Sequence, residues 1–379
     1  VKESVLIQPK RKIKIKWGIL KKDIVLTISL LLAAASCLIQ PPKMEYINFH
    51  VLGSLFNLML VIKAFEQLRL LDKMAISLLN NCQNSKSVST ILILLCFFSS
   101  MFVTNDVALL TFVPLTIVIG KKANLPFMET IILQTIAANL GSSLTPMGNP
   151  QNLFIYSYYE ITPKPFFTTV LVLAVLGISS LYFYIRKLPK ADLKVEMPPL
   201  TAIDRKQGII WGLVLAIIIT SIFGFIHYQI AVLITIITVL ILNRKLLLQI
   251  DYLLLLTFIC FFIFSGNISN SISVQSVVTA GLNSSTSVYF SSILLSQMIS
   301  NVPAAIFLSS FTTDWKPLLL GVNIGGLGTI VASLASVISY KLFIQSNPNE
   351  GKNYLIKFSI YNVSCLVVLS LIQYFILKI

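Results

Sequence analysis

Long apolar runs separated by short polar or basic stretches fill this chain from residue 24 onward. They fall at about 24–40, 47–63, 88–119, 127–158, 166–185, 208–225, 230–242, 252–265, 288–311, 318–344 and 354–377. Most are close to the roughly 20 residues that a helix needs to cross a bilayer core, so the pattern predicts an all-α polytopic membrane protein. Some runs carry polar interruptions. The stretch "MFVTNDVALL" at 101–110 sets Thr104, Asn105 and Asp106 side by side in apolar surroundings, and "SQMISNVPAAIF" at 296–307 does the same with Ser300 and Asn301.

The order of elements repeats. A long polar, Pro-containing connector at 186–207 splits the chain nearly in half, and on each side the same series appears: an apolar helix running into an amphipathic stretch, a polar-tipped run, a long run broken by Gly and Asn, and a final helix. The broken runs "NLGSSLTPMGNPQNLFIY" from Asn139 and "NIGGLGTIVASLASVISY" from Asn323 match without gaps at Asn139/Asn323, Gly141/Gly325, Thr145/Thr329 and Tyr156/Tyr340. Gly148/Ala332, Asn149/Ser333 and Asn152/Ser336 are small or polar in both, and Thr104-Asn105 answers Ser300-Asn301 upstream. The expected organisation is a basic segment at 1–23, a first repeat at 24–185, a linker at 186–207, and a second repeat at 208–379 with one extra leading helix.

Each interruption has a physical consequence. Backbone that leaves the helix at membrane depth has unsatisfied N–H and C=O groups, and it persists only where it is buried in protein or lines a cavity. Gly141, Pro146, Gly148 and Pro150 within ten residues exclude an unbroken helix, whereas Gly321, Gly325, Gly326 and Gly328 are expected to weaken the second run less severely. Thr104, Asn105 and Asp106 are suited to N-cap positions, as are Ser300 and Asn301 with Pro303 just inside the next helix. A helix N-terminus at mid-membrane presents N–H donors and partial positive charge to an anion. The expected substrate contacts are therefore Thr104, Asn105, Asp106, Ser300, Asn301, Pro303, Thr145 and Pro146. The expected Na⁺ or H⁺ contacts are Asn105, Asp106, Asn139, Gly141, Gly148, Asn149, Asn301, Asn323 and Gly325. Asp106 stands out because an ionisable group at membrane depth is costly and is by default functional.

Composition agrees with a bilayer solvent. The chain is 56% hydrophobic and 11% charged with a mean hydropathy of +0.86, too little polar surface for a water-soluble globule of 379 residues. A net charge of +15 suggests nucleic acid until its distribution is considered. With the N-terminus in the cytoplasm and the stretches around Asn105 and Asn301 entering and leaving on one side, all of the 29 Lys and Arg except Lys43, Lys164, Lys316 and Lys378 fall inside. That positive-inside bias favours two re-entrant hairpins, the first opening inward and the second outward, in a plasma-membrane protein. The halves are then inverted repeats, a layout of secondary transporters. Cys37, Cys82, Cys96, Cys260 and Cys365 lack metal-like spacing and read as small apolar residues. The basic-then-apolar start is expected to be an uncleaved first helix rather than a signal peptide. No zinc-protease or paired-aspartate motif points to an enzyme.

The stretches "TNDVALLTFVPLTI", "IAANLGSSLTPMGNPQNLFIYS" and "SQMISNVPAAIFLSS" resemble the ion transporter superfamily, which holds citrate-transporter-like permeases, arsenite permeases, sodium/proton antiporters of the same fold and divalent anion/sodium symporters. The resemblance implies an elevator-type transporter, a homodimer, no cofactor beyond a coupling Na⁺ or H⁺, and a small anion such as a carboxylate or arsenite. In the symporter branch a Ser-Asn-Thr triplet sits at each hairpin tip. Here the triplets are Thr104-Asn105-Asp106 and Ser300-Asn301-Val302, with Asn kept twice and the third hydroxyl replaced twice, the first being closer to the arsenite-permease pattern. A sodium/proton antiporter with Asp106 as the exchanging carboxylate is the alternative.

Overall fold

The computed structural model describes residues 24–80, 82–193 and 204–377. The basic segment 1–23 and residues 194–203 of the linker lie outside the described residues. The described regular structure is helical, apart from an isolated bridge between Asn84 and Asp192. The first half holds α1 (Ile24–Cys37), α2 (Phe49–Gln67), the amphipathic α3 (Leu70–Leu79), α4 (Ser85–Val103), α5 (Asn105–Ala123), α6 (Met128–Ser142), α7 (Pro150–Tyr158) and α8 (Pro163–Arg186). After α9 (Arg205–Ile222) come α10 (Tyr228–Leu242), α11 (Tyr252–Ser269), α12 (Ile272–Gly281), α13 (Ser285–Ile299), α14 (Asn301–Ser309), α15 (Trp315–Gly325), α16 (Leu334–Ser346) and α17 (Gly351–Leu377). Six of these helices, α2, α4, α8, α9, α11 and α17, are long and apolar enough to cross a membrane.

Helix boundaries follow local chemistry. Asn84 Oδ1 accepts from Ser87 N to start α4, Ser284 and Ser287 form a capping box for α13, and Asn149 caps α7 with Pro150 at its first turn. The breaks fall where the polar and Gly/Pro residues predict them: one residue between α4 and α5, one between α13 and α14, and eight or fewer between α6 and α7 and between α15 and α16.

The second break is more complete than its glycines alone suggest. Instead of a weakened but continuous helix, α15 ends at Gly325 and α16 begins at Leu334, with a short 3-10 turn at Ile330–Ala332 between them. The cause lies on a neighbouring helix. Gln297 Nε2 donates to the carbonyls of Gly325 (2.7 Å) and Leu327 (3.0 Å), and its Oε1 accepts from Thr329 N (2.8 Å), so one side chain replaces the helical bonds that are lost. Gly328 supplies the φ of +99° that the turn needs.

Packing between the halves is reciprocal: α1 lies against α11, and α10 lies against α2. Buried apolar side chains form two clusters, one around Phe97, Phe112 and Ile136, the other around Leu60, Phe154 and Phe258, and Leu144 in the first break packs against both. Close helix approach depends on small residues. A Cβ on Gly141 of α6 would lie 2.0 Å from Phe97 O and 2.5 Å from Ser100 Oγ of α4. Gly325 of α15 meets Ser296 of α13 in the same manner, at 2.8 Å.

Buried hydroxyls tie α6, α16 and α17 together. Thr135 Oγ1 donates to Ser339 Oγ at 2.7 Å, and the Ser339 and Tyr354 hydroxyls are 2.6 Å apart. Ser339→Ala removes the hydroxyl that joins Thr135 to Tyr354, while Thr135 keeps its bond to Ile131 O (2.9 Å); it is expected to cost about 1 kcal/mol, read as a lower Tm in detergent. Near the starts of α6 and α17 Lys357 Nζ reaches Glu129 Oε1 at 2.8 Å, with both side chains partly exposed. Lys357→Met is expected to cost less, ~0–1 kcal/mol.

Candidate functional site

The two helix-pair tips have the same unusual backbone. Thr104 sits at φ 70°, ψ 153° and Ser300 at φ 78°, ψ 154°, a region that side-chain-bearing residues rarely adopt. Strain of this kind, about 1–3 kcal/mol each, persists where the surroundings over-determine the backbone. Here the surroundings are the broken helices. Thr145 Oγ1 donates to Met101 O in α4, and Thr329 Oγ1 donates to Gln297 O in α13 at 3.3 Å, so each tip is held by the matching threonine of the break beside it. Asn105 N donates to Gly148 O at 3.2 Å, and Ser300 Oγ donates to Ala332 O at 3.3 Å. Gly148 and Ala332 are themselves a matched pair in sequence.

One expectation changes. Neither Thr104 nor Ser300 caps the following helix with its side chain. Asn105 Oδ1 accepts from Asp106 N at 3.0 Å instead, and Ser300 turns its hydroxyl to the second break. Both residues have a positive φ instead of the extended backbone usual at an N-cap.

The breaks interlock across the two halves. Asn139, at the end of α6, accepts from Asn105 Nδ2 (3.1 Å) and Ser333 Oγ (3.0 Å) and donates to Gly326 O (3.3 Å). Asn323, at the end of α15, accepts from Asn149 Nδ2 (3.1 Å) and donates to Asn152 Oδ1 (2.7 Å) and Leu319 O (2.8 Å). Asn139 and Asn323 are matched in sequence, as are Asn149 and Ser333. Each first-half-helix Asn thus accepts from the residue that starts the second half-helix of the other repeat. A buried amide is stable only when both its ends are partnered, and these two meet that condition through the opposite half of the chain. Asn301 is buried and its Nδ2 lies against Gly326, where an added Cβ would sit 2.8 Å away.

Thr104, Asn105, Asp106, Thr145, Asn139, Gly148, Asn149, Ser300, Asn301, Asn323 and Gly325 are therefore drawn into one connected region, directly or through one shared partner. Pro146 is buried within the first break, Pro303 is buried in the first turn of α14, and Gly141 serves the α4–α6 crossing. Three residues escaped the sequence-based site. Gln297 had no signal, because its counterpart three residues before the other tip is Met101. Asn152 donates to the carbonyls of Ser142 (3.3 Å), Ser143 (3.0 Å) and Thr145 (3.2 Å), and Ser333 contacts Asn139; both were visible in the aligned breaks.

Asp106 lies in the first turn of α5, where its charge favours the helix N-terminus. Its Oδ1 is buried and has no hydrogen-bond partner among the described residues. Such a carboxylate oxygen suits a cation or a proton. No group of three or more His, Cys, Asp and Glu converges among the described residues.

Residues 15–325 match the citrate transporter family. An uncharacterized transporter of Methanocaldococcus jannaschii is 32% identical over 356 residues, covering 92% of this chain and 96% of that protein. The inner membrane protein YbiR of Escherichia coli is 28% identical over 355 residues, 88% of each chain. The crystal structure of the YdaH transporter of Alcanivorax borkumensis superposes with a TM-score of 0.53 at 15% identity, covering 94% of this chain and 88% of that one, a likeness of fold.

Proposed function

For a chain that belongs to the citrate transporter family, a multi-pass membrane protein and a transporter rather than an enzyme, we propose secondary active transport of a small anion, a carboxylate or an oxyanion such as arsenite, coupled to Na⁺ or H⁺. The observation that carries the reading is the interlock of the two breaks, Asn139 with Ser333 and Asn323 with Asn149, next to tips of identical backbone shape. Paired discontinuous helices of this kind are the substrate- and ion-binding elements of many secondary transporters.

In this reading α1–α8 and α10–α17 are inverted repeats with α9 as the extra leading helix, and α4–α5 and α13–α14 are re-entrant hairpins. The matched tips, matched threonine contacts and reciprocal α1–α11 and α10–α2 packing support it. The N-terminus faces the cytoplasm, the site travels by an elevator motion, and the working unit is a homodimer. Asn105, Thr104, Ser300 and Asn301 hold the anion with Thr145, Pro146 and Pro303 at its edge. Asp106 with Asn139, Gly141, Gly148, Asn149, Asn323 and Gly325 holds the coupling ion.

The unpartnered Oδ1 of Asp106 also favours a second reading, a Na⁺/H⁺ antiporter in which the ion is the cargo. Uptake into proteoliposomes separates the two. Citrate, succinate, sulfate, phosphate and arsenite are offered under Na⁺ and H⁺ gradients imposed separately. Accumulation of one anion under one gradient is expected; movement of Na⁺ and H⁺ alone overturns the anion reading.

A further inference from the structure

An open groove of about 550 Å³ lies at the start of α4, lined by Asn84, Lys86, Ser87, Thr90, Ile91 and Lys190. It is a built feature. The segment after α8 is strapped to α4: Ser85 N donates to Ala191 O (2.8 Å), Ser85 Oγ to Pro189 O (3.1 Å), Ala191 N to Ser85 Oγ (2.9 Å) and Leu193 N to Gln83 O (3.0 Å). Lys86 Nζ donates to Arg186 O at 2.7 Å, which keeps its ammonium beside the end of α8. Arg186, Lys187 and Lys190 are exposed, and no ion pair joins any of these four cations to an acid among the described residues. Asp192, bridged to Asn84 through its backbone, is the acidic residue nearby in sequence.

The exposed face of α8 leads straight to this cluster. Leu171, Val175, Ile178 and Tyr182 are 60%, 57%, 42% and 63% exposed at helical spacing, and the next position on that stripe is Arg186. Since α8 is long and apolar enough to cross the bilayer, the stripe faces acyl chains and ends in cations at headgroup level. Tyr182 and Phe183 carry the Arg186 and Lys187 cations over their rings at 5.9 and 4.3 Å, an arrangement suited to the membrane–water boundary.

We propose that this groove binds the phosphate headgroup of an anionic phospholipid, with an acyl chain along the Leu171–Val175–Ile178–Tyr182 stripe. Lys86 and Lys190 contact the phosphate from the two walls, Asn84, Ser87 and Thr90 supply neutral polar groups, and Arg186 and Lys187 hold the headgroup at the rim. Charge complementarity selects the anionic lipid over phosphatidylcholine. Because the groove joins the start of α4 to the end of α8, the bound lipid fastens residues 187–193 to the first helix pair.

The test uses the full chain in detergent. Phosphatidylglycerol is expected to raise the Tm more than phosphatidylcholine does, by mass action on the folded state. Lys86→Gln/Lys190→Gln is expected to lose at least half of that increment, while Lys121→Gln/Lys122→Gln, an equal loss of charge at the end of α5, keeps it. Native mass spectrometry of the unaltered protein is expected to retain phosphatidylglycerol through activation that strips phosphatidylcholine. Equal retention of both lipids, equal loss in both double variants, or an equal shift from inorganic phosphate at the same ionic strength overturns the proposal.

Discussion

Asp106→Asn is expected to lower gradient-driven transport about 100-fold or more, equivalent to about 2.7 kcal/mol, while leaving the fold nearly as stable as before. The substitution keeps the shape of the side chain and its place in the first turn of α5. Because Oδ1 has no hydrogen-bond partner among the described residues, little of the native structure depends on it. What disappears is the negative charge that a cation or proton requires. The decisive comparison is uptake by the variant and the parent under the same imposed gradient, with Tm measured in parallel. Parent-like rates with unchanged ion dependence would remove Asp106 from the coupling site. In the antiporter reading the variant loses Na⁺-dependent proton movement entirely.

Gly141→Ala and Gly148→Ala are expected to have the largest effects on stability. The added methyl at Gly141 would stand 2.0 Å from Phe97 O, and at Gly148 it would stand 2.2 Å from Ser142 O. Both obstacles are backbone atoms, which cannot rotate aside as a side-chain end can. Overpacking usually costs about 1–3 kcal/mol, and these two should lie at or above the upper end. Gly212→Ala in α9 is the control: among the described residues nothing lies within 4 Å of its added methyl. It should be neutral or gain roughly 0.5–1 kcal/mol from reduced backbone entropy. Thermal unfolding in detergent orders the three variants, and a Gly141→Ala protein as stable as Gly212→Ala contradicts the close α4–α6 crossing.

The legible parts of this fold were those written in local chemistry. Pro146, Gly148 and Pro150 exclude an unbroken helix across 143–150, and α6 and α7 are separate helices there, α6 running past Gly141 to Ser142 and α7 starting at Pro150. The polar residues at 104–106 and 300–301 interrupt apolar runs, and the chain turns at Thr104 and Ser300. The amphipathic stretches became α3 and α12. What stayed hidden depends on partners distant in sequence. The completeness of the second break follows from Gln297, whose matched position is a methionine, so comparing the halves gave no cue. The exchange of Asn139 with Ser333 and Asn323 with Asn149 spans 194 and 174 positions, beyond any periodicity. The tips resembled N-caps in composition, yet both have a positive φ and neither makes a side-chain cap bond.

The central claim is that both halves of the chain build one site, open to one side of the membrane at a time. Thr104→Cys and Ser300→Cys, made separately after the five cysteines are replaced by alanine, place a thiol at each tip. A membrane-impermeant thiol reagent is then applied from either side of oriented proteoliposomes. Both thiols are expected to react from the same side in a given state, to change side together when the driving gradient is reversed, and to be protected together by the transported anion. Fixed labelling of Thr104→Cys from one side and Ser300→Cys from the other, whatever the gradient, would contradict a single shared site.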